Sequence, residues 1–234
     1  MALPMVVRMN LKSRLAIRVA FVIPLMAVLM FAPAGSLRYW QGWVFVFTFS
    51  VFSAVFGFYF YRRDPKLLER RLQSREPRRK QKLFKLFWVP LWLGTLILPG
   101  LDYRFQWSAA LLGAVPVLLA VAASVVVAAG WILVFQVMRF NTFASAVIQV
   151  EAGQKVVSDG PYAIVRHPMY SGFSLMILAT PLALGSYIAI VPAALLIPVL
   201  IFRLRDEERT LRQELPGYAE YCGRTRYRLI PFVF

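Results

Sequence analysis

Long apolar runs constrain this chain more than any other feature of its sequence. The runs at residues 40–61 and 108–138 are long enough for a membrane-spanning helix, which needs about 20 apolar residues. Only 16% of the 234 residues are charged, and 59% are hydrophobic. In a soluble domain about a quarter of the residues are charged. We therefore predict an all-α integral membrane protein that folds as a single domain over residues 1–234.

The charge of the chain fits a membrane protein better than a nucleic-acid-binding protein. The formal net charge is +16, but basic residues of membrane proteins collect in cytoplasmic loops and fix the orientation of the chain. We therefore expect no nucleic-acid partner. The sequence contains one cysteine, Cys222, and one histidine, His167. We expect neither an intrachain disulfide nor a Cys/His zinc site, and we predict no metal.

Two spans are predicted within residues 1–61. Residues 1–18 are basic, and an apolar run follows at residues 19–33. We interpret this run as a first spanning helix rather than as a cleaved signal peptide, although both begin with a basic segment. The second span, residues 40–61, carries aromatic residues at both ends, as expected where a helix meets the two membrane interfaces.

Residues 62–85 form the most basic segment of the chain. The pair Asp64-Pro65 is typical of a helix start. The apolar stripe of that helix would consist of Leu67, Leu68 and Leu72. A basic amphipathic helix on an anionic leaflet and an ordinary solvated cytoplasmic loop both fit this pattern.

Two further spans are predicted within residues 84–138. The first, residues 84–99, is short and interrupted by Pro90, and a turn is expected at residues 102–107. The second, residues 108–138, would reach about 45 Å as one helix, so it must tilt or extend beyond the hydrocarbon core. Pro116 is expected to kink it.

The last part of the chain, residues 139–234, is predicted to be the catalytic region. A polar segment at residues 139–171 precedes two apolar runs, residues 172–185 and 187–202. Each run is short for an independent span, and we interpret the pair as a helical hairpin. The helices are expected to be irregular at Pro181, Pro192 and Pro198. The prediction is therefore about five to six transmembrane helices, including this hairpin.

The distribution of positive charge predicts the topology. The N-terminus, residues 62–85, residues 139–171 and the tail from Arg203 onwards lie on the more basic side of the predicted membrane domain. That side is expected to face the cytoplasm. The polar segment and the C-terminal tail can therefore meet.

Three polar segments are candidates for function. In the first, residues 141–151, alternation with β-branched residues predicts an extended run. The second is residues 154–162, which lead into residues 166–170, and the third is residues 203–209.

Residues 160–172 contain the only histidine, beside Arg166, although apolar runs flank them. Residues 203–209 begin at the inner end of the last apolar run, and Arg203 and Glu207 share one face of a helix there. Ionisable groups at the edge of a membrane helix favour a functional interpretation. The alternative is a structural histidine and a series of ion pairs that ends a membrane helix.

Other functional classes lack their sequence signatures. The chain contains no phosphate-binding glycine loop, no Gly-x-Ser-x-Gly motif and no internal repeat that we detect. These absences argue against a hydrolase and, more weakly, against a transporter.

Three segments together resemble the isoprenylcysteine carboxyl methyltransferase family. They are residues 156–170 with the start of an Arg-His-Pro-x-Tyr-x-Gly motif, residues 203–208 with paired glutamates, and the ending at residues 215–231. Residues 64–72 and 141–143 are similar to the prokaryotic branch of this family. The wider superfamily includes phospholipid N-methyltransferases.

The resemblance implies a multi-pass membrane methyltransferase without a Rossmann domain. We expect it in a prokaryotic inner membrane with both termini cytoplasmic. Its cofactor would be S-adenosyl-L-methionine, converted to S-adenosyl-L-homocysteine. The cofactor would lie in a cytoplasmic pocket that the polar segment covers and the C-terminal tail closes. A lipid or prenyl-type acceptor would reach the pocket between the helices.

The resemblance also implies roles for individual residues. The implied cofactor contacts are Gln149, Gln154, Lys155, Val156, Val157, Tyr162, His167, Pro168, Met169, Tyr170 and Glu207. Substrate binding falls on Arg203, and the predicted catalytic residues are Arg203, Glu207 and His167. Tyrosine ring faces suit the sulfonium cation of the cofactor, at about 0.5–2 kcal/mol each.

The sequence leaves the acceptor open. A carboxylate is already nucleophilic and needs no base, and Arg203 would orient it. An amine must lose a proton, and His167, Glu207 or Glu208 would be the candidate base. The best single prediction is carboxyl methylation of an isoprenylcysteine-type acceptor. The alternatives are phospholipid N-methylation and, in another class, a non-catalytic scaffold or small transporter.

Overall fold

The computed structural model describes residues 10–72, 79–143, 148, 150 and 153–234, with no side chains described for residues 79–82. Helices account for the regular structure of these residues, and none of them forms a strand. The helices are α1 (Leu11–Ala34), α2 (Trp40–Arg63), α3 (Pro65–Leu72), α4 (Arg79–Phe105), α5 (Trp107–Leu112), α6 (Val117–Phe140), α7 (Pro168–Ala183), α8 (Ile190–Glu214) and α9 (Tyr218–Arg224). A short 3-10 helix at Gly160–Ala163 precedes α7.

The predicted all-α membrane fold is confirmed. Within the described part of the chain, four helices are long and apolar enough to cross a bilayer: α1, α2, α6 and the Leu83–Phe105 part of α4. The predicted hairpin is formed by α7, with 16 residues, and α8, with 25 residues. The two helices pack against each other, and the second half of α8 carries the charged residues that follow Phe202.

The predicted boundaries of the third span were wrong. Helix α4 continues through Pro90 and Pro99 as far as Phe105, so residues 102–105 are helical and do not form a turn. The helix ends at Gln106, whose φ of 57° is left-handed. A proline removes one backbone hydrogen bond from a helix, and the packing of α4 against both α1 and α8 supports the helix on either side of that gap.

The single long helix predicted at residues 108–138 is divided in two. Helix α5 ends before Gly113, whose φ is +85°, and α6 begins after Pro116. The positive φ favours glycine, and proline has no N–H to donate to a preceding turn. The two residues therefore break the helix instead of kinking it.

The hairpin helices are more regular than predicted. Helix α7 runs through Pro181, and α8 runs through Pro192 and Pro198. Close packing positions α7, because a Cβ atom added at Gly172 would lie 3.0 Å from the carbonyl oxygen of Gly130. The backbones of α6 and α7 thus approach more closely than larger residues would permit. This contact fixes the start of α7 beside the end of α6.

Helix α3 follows α2 directly and folds back onto the protein. Its predicted start is confirmed, since Oδ1 of Asp64 accepts a hydrogen bond from the Leu67 backbone N–H at 3.0 Å. Leu67 and Leu68, predicted to form an apolar stripe, are buried within the protein. The last turn of α3 is consequently held against the helix bundle.

A buried polar cluster fixes the opposite end of the bundle. Asp102 accepts hydrogen bonds from the Ser108 backbone N–H at 2.7 Å and from the Ser186 hydroxyl at 2.5 Å. The Tyr39 hydroxyl donates to the carbonyl oxygen of Leu184 at 2.6 Å. The turn of the hairpin is thereby tied to α4, α5 and the start of α2.

Candidate functional site

A cavity of about 300 Å³ lies where the hairpin meets the polar segment and the C-terminal tail. Its walls come from the ends of α3 and α6, the start of α4, the segment before α7, the first turns of α7, the middle of α8, and α9. Ligand pockets in proteins span about 300–1,000 Å³. The cavity is therefore large enough for a small molecule.

The residues that the sequence singled out converge on this cavity. Its wall includes Gln154, Lys155, Val156, Val157, Tyr162, His167, Pro168, Met169, Tyr170, Arg203 and Glu207. Gln149 lies outside the described residues, as does most of the run at residues 141–151 that its alternation suggested to be extended. The geometry brings the other residues together, and their individual roles remain predictions.

A hydrogen-bonded group joins the two helices of the hairpin inside the cavity. The Tyr170 hydroxyl donates to Oε2 of Glu207 at 2.5 Å. Nε of Arg203 donates to the same hydroxyl at 3.2 Å, and the guanidinium lies 4.8 Å from the ring centroid of Phe84. The group therefore offers a carboxylate and an oriented arginine to a ligand.

His167 is buried at the start of α7. Its backbone N–H donates to the carbonyl oxygen of Arg228 at 2.9 Å, and its Nε2 lies 3.5 Å from the Tyr218 hydroxyl. Burial lowers the pKa of His167, partly opposed by the nearby Glu207 and Glu208. A neutral imidazole has one donor and one acceptor nitrogen. The side chain is thus suited to hydrogen bonding rather than to carrying positive charge.

Tyr162 is held by contacts with the C-terminal end of α6 and with α9. Its hydroxyl accepts a hydrogen bond from Nδ2 of Asn141 at 2.8 Å, and its carbonyl oxygen accepts from the Tyr221 hydroxyl at 2.7 Å. Burial raises the pKa of Tyr162 to about 12, so the phenol stays neutral at physiological pH. These contacts hold the 3-10 helix between α6 and α9.

Glu208 has a different position from its neighbour Glu207. Its Oε1 lies 2.7 Å from Nε of Arg166, and its Oε2 lies 2.8 Å from Nε of Arg228. Glu208 does not line the cavity, whereas Glu207 does. Of the two glutamates considered as a base, only Glu207 can therefore contact a ligand there.

The C-terminal tail is hydrogen-bonded to the segment that begins α7 beside the cavity. The Arg166 backbone N–H donates to the Tyr227 carbonyl oxygen at 2.9 Å, and the Ser171 hydroxyl donates to that of Leu229 at 2.6 Å. Nη1 of Arg166 also donates to the carbonyl oxygens of Thr225 and Arg226, each at 2.8 Å. The predicted meeting of tail and polar segment is thus observed.

Several cavity residues were not predicted from the sequence. They are Arg71, Phe84, Trp88, Asn141, Phe143, Ile148, Arg166, Phe173, Leu200, Thr210, Leu211, Leu215, Tyr218 and Tyr221. The motif at residues 141–143 and the ending at 215–221 were part of the resemblance, and they are the signals that point to some of these residues. Arg71 stood out only as one of many basic residues.

Two comparisons with known proteins bear on this site. A mouse protein named Delta(14)-sterol reductase TM7SF2 is 32% identical over 90 residues, which make up 37% of this chain and 22% of that relative. The chain therefore spans less than a quarter of the length of this curated relative. The second comparison, with family models, concerns residues 118–213, which include α6, α7 and nearly all of α8. These residues match the isoprenylcysteine carboxyl methyltransferase (ICMT) family, as the sequence motifs predicted.

Proposed function

We propose that this protein transfers a methyl group from S-adenosyl-L-methionine to a membrane-embedded acceptor with a carboxylate, best represented by an isoprenylcysteine. The observation that supports this function most directly is the cavity itself. It unites motif residues from the family-matched region, such as His167, Tyr170 and Glu207, with the hydrogen-bonded Arg203.

The described residues of the cavity suit the chemistry of the cofactor. Glu207 offers a carboxylate to ribose hydroxyls or to the amino group, and the neutral His167 offers a hydrogen bond to the adenine edge or the carboxylate. Tyr162 and Tyr170 line the same wall, and tyrosine ring faces attract cations such as a sulfonium. S-adenosyl-L-homocysteine, the product, would occupy the same contacts.

Charge on the cavity wall favours an anionic acceptor over an amine. Among the described residues, the wall carries Arg71, Lys155 and Arg203 against Glu207, and its remaining arginine, Arg166, is paired with Glu208. A cationic environment repels an ammonium group and attracts a carboxylate. Phospholipid N-methylation is therefore the second candidate, with Glu207 or His167 as its base.

Bound S-adenosyl-L-methionine supplies an electrophilic methyl group. Arg203 would hold the acceptor carboxylate so that one oxygen faces the methyl carbon in line with the carbon–sulfur bond. The carboxylate held by Arg203 would take the methyl group as the carbon–sulfur bond breaks, which would leave a methyl ester and a neutral thioether with no proton transferred. The tail and α9 would exclude water, which strengthens these electrostatic contacts.

We also propose that the cavity, both termini and α3 face the cytoplasm. The connectivity of the helices brings the start of α1, α3, the cavity and the tail to one end of the bundle, where the described basic residues Lys12, Arg62 and Arg71 lie. A C-terminal green fluorescent protein fusion should fluoresce in a bacterial host. An alkaline phosphatase fusion at the same point should be inactive, and an active one would reverse the orientation.

The decisive experiment measures cofactor binding and product chemistry separately. Calorimetry of the detergent-purified protein should detect binding of S-adenosyl-L-homocysteine at micromolar to millimolar concentration. With methyl-labelled cofactor and a prenylcysteine acceptor, the label should be released by mild base, as a methyl ester requires. Base-stable label in lipid would favour N-methylation. Absence of cofactor binding at millimolar concentration would contradict the proposed methyltransferase activity and would leave a scaffold or small transporter as the remaining hypothesis.

A further inference from the structure

A second, larger space adjoins the cavity. It is an apolar groove of about 760 Å³ between the first half of α1 and the second half of α2, with α6 along one side. The two helices meet at their other ends, where Phe31 and Trp43 lie 4.6 Å apart between ring centroids. The buried residues of α1 are Met26, Met30, Phe31 and Ala34. The helices therefore separate towards the end of the bundle that holds the cavity.

Arg71 lies where the groove meets the cavity. It lines both spaces, as does Phe173 of α7. Arg71 is in the last turn of α3, which the buried Leu67 and Leu68 hold against the bundle. The backbone of Arg71 is therefore held in place by the packing of α3.

The guanidinium of Arg71 lacks adequate acceptors among the described residues. Its Nη2 contacts the sulfur of Met169 at 2.6 Å, and a thioether is a weak acceptor. Its Nε is buried with no hydrogen-bond partner. Burial lowers the pKa of Arg71, and the nearby Arg203 lowers it further, although Glu207 opposes this. A buried charge without a partner is costly, and a bound anion would remove that cost.

We propose that the groove holds the hydrocarbon chain of the acceptor and that Arg71 binds the acceptor's carboxylate at the junction with the cavity. This inference rests on the proposed function. Arg203 would contact the carboxylate from α8, and Arg71 would contact it from α3. The two guanidinium groups are close enough for the charge of Arg203 to lower the pKa of Arg71.

Three observations favour the acceptor over the cofactor as the ligand of Arg71. Arg71 lies outside residues 118–213, which carry most of the motif residues assigned to the cofactor. It faces the apolar groove as well as the cavity. The groove has basic residues at its own end, Lys12 and Arg62, which suits an amphipathic anion with its charged group at the membrane surface.

The first test removes the charge of Arg71. The probes are N-acetyl-S-farnesylcysteine, its carboxamide, and N-acetyl-S-methylcysteine, which lacks the long chain. The unmodified protein should bind the farnesylated acid at least about tenfold more tightly than the carboxamide or the short-chain acid. Arg71→Gln should lose most of the preference for acid over amide, and Arg71→Lys should keep part of it. Lys66→Gln removes the same charge from an exposed position of α3 and should keep the full preference.

The second test fills the groove. A Cβ atom added at Gly57 would meet nothing within 4 Å, and Gly57 lines the groove. Gly57→Phe should therefore be accommodated by the fold, yet it should weaken binding of the farnesylated acid at least about fivefold through lost apolar contact. Val51→Phe introduces the same side chain at an exposed position of α2 outside the groove and should have no such effect.

Binding of S-adenosyl-L-homocysteine separates the possible failures. Every variant should keep that affinity within about twofold, which also shows that it is folded. Weakened cofactor binding in Arg71→Gln would assign Arg71 to the cofactor and overturn the inference. Undiminished acid preference in Arg71→Gln, or no binding of the farnesylated acid to the unmodified protein, would also overturn it. If the unmodified protein did not bind S-adenosyl-L-homocysteine, that result would instead contradict the proposed function.

Discussion

Tyr170 of α7 donates a hydrogen bond to Glu207 of α8 at 2.5 Å. The bond joins the two helices of the hairpin through one carboxylate oxygen of Glu207, and Glu207 lines the cavity. Arg203, one helical turn before Glu207, donates to the same tyrosine hydroxyl. The position of Glu207 therefore depends on both helices, and this makes its substitution informative.

Glu207→Gln should weaken binding of S-adenosyl-L-homocysteine at least about tenfold, because an amide is a poorer acceptor than a carboxylate for ribose hydroxyls or an ammonium group. Isothermal calorimetry on detergent-purified protein measures this. Glu214→Gln makes the same change at an exposed position of α8 and should bind normally. Equal affinities for the two variants would remove Glu207 from the cofactor site.

Arg203→Lys should reduce methylation of a prenylcysteine acceptor by at least about tenfold while leaving cofactor affinity within about twofold. A lysine keeps the charge but loses the planar fork that orients a carboxylate. Initial rates with labelled cofactor give kcat and KM for the acceptor. Arg205→Lys, at an exposed position of the same helix, is the control. Normal turnover in Arg203→Lys would exclude an orienting role.

Glu208→Gln should destabilise the protein rather than affect the acceptor directly. The carboxylate lies between the buried Arg166 and the half-buried Arg228, and removing one member of a buried ion pair costs about 3–5 kcal/mol. The tail should also become accessible to limited proteolysis, because Arg166 and Arg228 connect it to α8. A thermal shift smaller than that of an exposed control, Glu220→Gln, would contradict this structural role.

His167 should contribute to the pH dependence of stability. Burial lowers its pKa in the folded protein, whereas an unfolded histidine has a pKa of about 6.5. The neutral ring is favoured by folding, so this contribution is present above about pH 6.5 and is lost as the pH falls towards the folded value. His167→Asn cannot take up this proton, and its melting temperature should fall less than that of the unmodified protein between pH 7.5 and 5.5. If the melting temperatures of the two proteins fell equally with pH, His167 would not be the group that causes the loss of stability.

Local sequence rules succeeded where local chemistry decides the structure. Asp64 and Pro65 start α3 because an aspartate oxygen caps the first turn and proline needs no hydrogen-bond acceptor there. They failed at Pro90 and Pro181, where the sequence indicated interruption but helices continue. A proline removes one backbone hydrogen bond at a single position of a helix. Packing against neighbouring helices stabilises the helix along its whole length.

The sequence by itself determined that the protein spans a membrane, that residues 118–213 match the isoprenylcysteine carboxyl methyltransferase family, and which eleven residues of the cavity wall come from its motifs. Length and apolarity decide the first, and the segments at residues 154–170 and 203–208 decide the others. Only the tertiary structure decided which of two adjacent glutamates faces the cavity, since neighbouring helical residues point in different directions. It also distinguished Arg71 from the other basic residues near it in the sequence, because the buried Nε without an acceptor in the described part of the chain arises only when α3 folds back onto the helix bundle.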